Sequence, residues 1–97
     1  MSSIVLILKK IEEKPELYLG EKSLSKLRSF IDGYLTCEQD NNLTNSSIVF
    51  QKFIDYFNNQ YGLQSYSDYH MILYKEFKSE SVAFDKFFEL FNKFLNL

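Results

Sequence analysis

The chain has 97 residues, 45% of them hydrophobic, with ten phenylalanines, seven tyrosines, no tryptophan and a formal net charge of −2. That length supports one compact domain and not two with separate cores, and the apolar content excludes a disordered chain. The slight acidity argues against general binding of nucleic acid, whose phosphates call for a basic face.

Taken in chain order, Ile4, Ile7, Leu8 and Ile11 share one helical face, although the run from Ile4 to Leu8 also fits a strand. The pattern stops at Lys14, because Pro15 disfavours helical geometry in the residue before it. The stretch KPELYLGEKS, Lys14 to Ser23, reads as a corner. Pro15 ends the first helix, Leu17 and Leu19 turn inward as anchors, Gly20 takes an unusual backbone angle, and Ser23 caps the next helix.

Leu24, Leu27, Ile31, Tyr34 and Leu35 then recur at helical spacing, with Phe30 widening the stripe. Gly33 within it suggests close approach of another helix. Glu38 to Ser47 reads as a polar loop. A third helix, capped by Ser46 or Ser47, carries Phe50, Phe53, Ile54, Phe57 and Tyr61 and stops at Gly62. A shorter fourth starts at Ser67 and runs through Tyr69, Ile72, Leu73 and Phe77. The last opens at Ser79 and places Ala83, Phe84, Phe87, Phe88, Phe91, Phe94 and Leu95 toward a core. The prediction is all-α: a compact single-domain bundle of about five helices across residues 1–97.

Reactive side chains are few. Cys37 is the only cysteine and His70 the only histidine, so no internal disulfide forms and no Cys/His cluster offers a metal site. Cys37 is expected to be buried or half-buried, and His70 partly exposed or hydrogen-bonded. Spacing gives no support to a Cys37–His70 nucleophile and base. No cofactor and no catalytic residue is assigned, and the chain is read as no enzyme. The apolar run at Ile4 to Leu8 is too short for a signal peptide or a membrane span, so a reducing cytoplasm is expected.

KPELYLGEKS also resembles the R-P-x-M-Y-I-G segment of type II topoisomerase ATPase domains. The next helix, LSKLRSFIDGYLTCE, has Asp32 as its only mid-helix acid and no asparagine nearby. A glycine-rich lid and a Walker-type loop are missing too, so nucleotide hydrolysis is rejected. Together with L-x-x-L-R-S-F-I-D-G-Y and A-F-D-K-F-F-E-L-F-N-K-F-L, the same stretch resembles small bacterial cytoplasmic proteins of contact-dependent inhibition and polymorphic-toxin loci. The resemblance covers Leu8 to Leu35 and Ala83 to Leu95. It implies an immunity protein that occludes a cognate toxin domain, and it carries over no catalytic residue.

Charge is uneven along the chain. Residues 1–28 carry +2, residues 29–74 carry −4 and residues 75–97 carry none. The middle segment also holds six of the seven tyrosines. Acids among tyrosines suit a surface that docks a basic protein such as a nuclease, because rings give contact area and acids steer encounter. Glu38, Asp40, Asp55, Tyr56, Tyr66, Asp68 and Tyr69 are the candidate contact residues. The same pattern fits a plainer role, with acids wetting the outer faces and tyrosines edging the core. The bases Lys9, Lys10, Lys14, Lys22, Lys26 and Arg28 are interrupted by four glutamates and read as solvated helix faces. A self-associating interaction module, using surplus aromatic surface, is the alternative function.

Overall fold

Helix α1, Ser3–Glu13, buries Ile4, Val5, Leu8 and Ile11 along one side, the helical alternative for that apolar run. The computed structural model describes residues 2–63 and 68–97. Within them lie six helices: α1, α2 (Pro15–Leu19), α3 (Leu24–Asp40), α4 (Asn45–Gln60), α5 (Tyr69–Phe77) and α6 (Glu80–Leu95). Five are the expected ones. The sixth is a single turn inside the corner.

Pro15 starts that turn, at a position where its missing N–H has no helical partner to lose. Leu19 packs against the core, but Leu17 is 72% exposed, so only one of the two expected anchors turns inward. Gly20 closes the turn with φ +83°, a left-handed angle that needs no Cβ.

Ser23 accepts the Lys26 N–H at 3.3 Å and so caps α3. The helix continues past Cys37, and the expected polar loop shrinks to residues 41–44. Asn42 makes this possible by adopting φ 61°. The Leu43 and Asn42 N–H groups then bond the carbonyls of Glu38 and Gln39 at 2.8 and 3.0 Å, the paired closure of a helix C-terminus. Gly62, φ 66°, closes α4 the same way, with Leu63 bonding Asn58 at 2.8 Å and Gly62 bonding Asn59 at 3.3 Å.

Other expectations need correction. Neither Ser46 nor Ser47 caps α4, whose capping residue is Thr44 without a side-chain bond. Ser46 is buried and bonds between helices instead. The predicted cap Ser67 lies outside the described residues, and Asp68 caps α5. Cys37 is exposed. Among the described residues a Cβ added to Gly33 would meet nothing within 4 Å, so no described helix makes the expected close approach there.

The core is a stack of rings around α6, which packs against α5, α3 and α4, while α1 lies on α4 and α2. Phe53 of α4 meets Phe87, Phe91 and Phe94 at 5.3, 5.1 and 5.7 Å, each edge-on, the geometry favoured by opposed ring quadrupoles. The radius of gyration is 12.9 Å, close to the ~13 Å of a compact chain this long.

Two carboxylates pin the ends of α3. At its start, Glu80 Oε1 accepts the Ser25 N–H at 2.6 Å and the Ser23 hydroxyl at 3.1 Å, while Oε2 lies 3.1 Å from His70 Nε2. Burial pushes the Glu80 carboxyl up, but these bonds outweigh it and hold it below its ordinary value. At the other end, Glu38 Oε2 accepts the Ser3 hydroxyl at 2.6 Å and the Ser46 hydroxyl at 3.1 Å. Ser46 in turn accepts the Ile4 N–H at 3.2 Å. The Ser3 bond holds the Glu38 carboxyl low.

Candidate functional site

Held at both ends, α3 turns the outer side of its second half to solvent. Asp32, Gly33, Thr36, Cys37 and Asp40 are all exposed there, over a shallow hollow of about 480 Å³. Around the helix from this hollow, α3, α4 and the start of α5 enclose a groove of about 260 Å³. Its walls are apolar at Leu35, Phe50 and Ile54 and polar at Arg28, Asp32, Gln51 and Asp68. Tyr69 lies at its base.

Asp68 is fully engaged. Its Oδ1 accepts the His70 and Met71 N–H groups at 3.1 and 3.4 Å, and its Oδ2 pairs with Arg28 Nη1 at 3.0 Å. Arg28 Nε is 3.9 Å from Asp32, the i,i+4 partner on α3. With Arg28 held by Asp68, the side chain of Asp32 remains 65% exposed and has acceptor capacity to spare. Gln51 donates its side-chain N–H to Asp55 at 3.2 Å, which leaves the Gln51 amide oxygen as a further acceptor.

Tyr69 is only 6% exposed. Its ring packs on Phe50 and Phe87 at 5.9 and 5.4 Å, so it is a core residue, in keeping with its place on the apolar stripe of α5, although it is also one of the candidate contact residues. Its hydroxyl is buried with no hydrogen-bond partner among the described residues. Burial first, and then the Asp32 carboxylate, push the phenol far up, with Arg28 and Asp68 also acting on it. The hydroxyl therefore stays protonated, and Tyr69 is one of the residues that line the groove.

The other expected contact residues scatter. Asp40 and Asp55 are exposed, and among the described residues no base lies within ion-pair distance of either. Asp55 stands at the groove's rim through its bond to Gln51. Tyr56 is half-buried on the opposite side of α4, with its ring 5.8 Å from Phe94. Glu38 belongs to the junction of α1, α3 and α4. Tyr66 lies outside the described residues. The groove residues that sequence reasoning missed are Arg28, Asp32 and Gln51. The Arg28–Asp32 spacing was a readable signal, whereas the Arg28–Asp68 pair joins residues far apart in the chain.

Among the described residues no group of three or more His, Cys, Asp or Glu side chains is placed to hold a metal. No described helix is long and apolar enough to cross a membrane. Comparison with protein-family models, curated proteins and solved structures finds no match to this chain.

Proposed function

We propose that this chain is an immunity protein that binds and occludes a basic toxin domain of the nuclease type, without chemistry of its own, in the bacterial cytoplasm. The observation that carries this reading is the pair Asp40 and Asp55. Both are exposed, among the described residues neither has a base within ion-pair distance, and they belong to a segment of net charge −4. Glu38, Asp68 and Glu80 are tied down by backbone amides, hydroxyls or bases, whereas Asp55 accepts only the Gln51 side-chain amide, at 3.2 Å. Unpaired exposed carboxylates act at a distance, steering a cationic partner and discriminating against acidic ones. A nuclease active site is such a partner, because it must attract a polyanion.

The test is to find whether the gene beside this chain's encodes a toxin-type domain and to express that domain with and without this chain. The expected result is rescue of growth and a purified complex whose association rate falls with salt. Lack of both rescue and complex overturns the reading.

A second reading, self-association, draws on α5. Met71 is 65% exposed and Tyr74 44% exposed, beside an apolar hollow of about 540 Å³ that also includes Ile72. Light scattering across a concentration series separates the two. Immunity predicts a constant mass for the isolated chain, and self-association predicts a mass that rises.

A further inference from the structure

We propose that the groove between α3, α4 and the start of α5 receives one basic side chain of the partner protein. Its charged head would sit on Asp32 and the Tyr69 hydroxyl, and its aliphatic stem on Leu35, Phe50 and Ile54. The inference rests on the inhibitor reading above and names how that partner is gripped.

Three features select this occupant. First, charge: Arg28, Asp32 and Asp68 sum to −1, and the 3.0 Å pair with Asp68 already neutralises Arg28. One added cation balances the groove, whereas an anion would face two carboxylates. Second, hydrogen bonding: the Tyr69 hydroxyl is buried with no partner among the described residues, a condition that costs free energy unless something bonds it. The Asp32 carboxylate and the Gln51 amide oxygen give a donor-rich head two acceptors at the groove's surface, and the Tyr69 oxygen becomes a third where the head displaces the wall that covers it. Third, size and lining: about 260 Å³ falls below the usual ~300–1,000 Å³ of small-molecule pockets. It suits a single side chain, and a wall apolar on one side and polar on the other matches a long stem with a charged tip.

The experiment titrates the ¹⁵N-labelled chain with Nα-acetylarginine amide and, in parallel, with Nα-acetylcitrulline amide, its uncharged counterpart. The arginine compound is expected to give saturable millimolar shifts at the backbone amides of Asp32, Gln51 and Tyr69. The citrulline compound should give none there. Asp32→Asn should abolish the shifts. Tyr69→Phe should weaken binding roughly 3-fold or more, as loss of one hydrogen bond implies. Its melting temperature should be unchanged or higher, since the variant removes an unpartnered buried hydroxyl. A purely structural Tyr69 would give the reverse, lower melting and unchanged affinity.

Shifts equal for both compounds, or shifts scattered over the surface, overturn the assignment, as does a response to inorganic phosphate at the same amides. Such a result leaves the inhibitor reading standing, because that is tested by complex formation and by Asp40 and Asp55.

Discussion

Helices α3 and α6 are nearly equal in length, 17 and 16 residues, yet they are held in opposite ways. Along α6, Ala83, Phe84, Phe87, Phe88, Leu90 and Phe91 are buried, and Phe94 and Leu95 of its last turn pack partly buried against the same core. On α3 only Leu24, Leu27 and Ile31 are buried, all in the first half. Its second half is held by the partly buried Tyr34 and Leu35, by the Glu38 junction and by the Asn42 closure, so its outer face is free of packing duty. One helix is specified by what it buries. The other buries its first half, is pinned at both ends and leaves an exposed acidic face, the face to which the proposed function assigns the reading of charge.

The largest expected effect lies on α6. Phe87 is fully buried and its ring is within 5.4 Å of those of Phe53, Tyr69 and Phe88. Phe87→Ala is expected to cost ~3–5 kcal/mol, a large share of the ~5–15 kcal/mol available to a small domain. Chemical denaturation checks this. A midpoint within error of wild type would break the contrast by removing α6 from the centre of the core.

Glu80→Gln tests the clamp at the start of α3. Hydrogen bonds to a charged group contribute about 1.5–3 kcal/mol, so the loss should fall below that of Phe87→Ala. The sign with pH follows from the carboxyl's lowered value. A depressed folded-state pKa adds stability that is present above the ordinary value of 4.5 and is lost as pH falls through the folded value. The melting difference between wild type and Glu80→Gln should therefore be full at pH 7 and shrink in acid. A pH-independent difference would show that the charge contributes nothing.

Gly20→Ala tests the corner that leads into α3. Apart from Gly20's chain neighbours, no atom of the described residues lies within 4 Å of the added Cβ, so the effect is backbone strain, about 1–2 kcal/mol for an L-residue in the left-handed region. Thermal melting measures it, and an unchanged midpoint would mean the corner relaxes without cost.

How much of this could be read from sequence depends on the range of the interaction. Ser23 and Ser79 act as predicted caps because a cap bonds N–H groups within three residues. The apolar stripes were legible because burial on a helix is periodic. The groove and the clamps were not, since Ser3 meets Glu38 and Ser23 meets Glu80 across 35 and 57 residues. Such pairs leave no periodic trace. Tyr69 shows the same limit: the sequence puts it both on the apolar stripe of α5 and among the acids of the middle segment, and only its packing on Phe50 and Phe87 decides for the core. Asp68 looked like a steering charge, but its cap and its bond to Arg28 make it structural.

That last point decides how the central claim should be tested. Reversing Asp68 along with its neighbours would unsettle α5 and confuse folding with binding. The direct measurement is association of Asp40→Lys/Asp55→Lys with the cognate toxin domain at two salt concentrations, beside a melting curve. Stability should stay within ~0.5 kcal/mol of wild type, as for exposed sites without special contacts. The association rate should fall, and its dependence on salt should weaken, because these charges act through screened long-range attraction. A double variant that associates at the wild-type rate with the wild-type salt dependence would contradict the account.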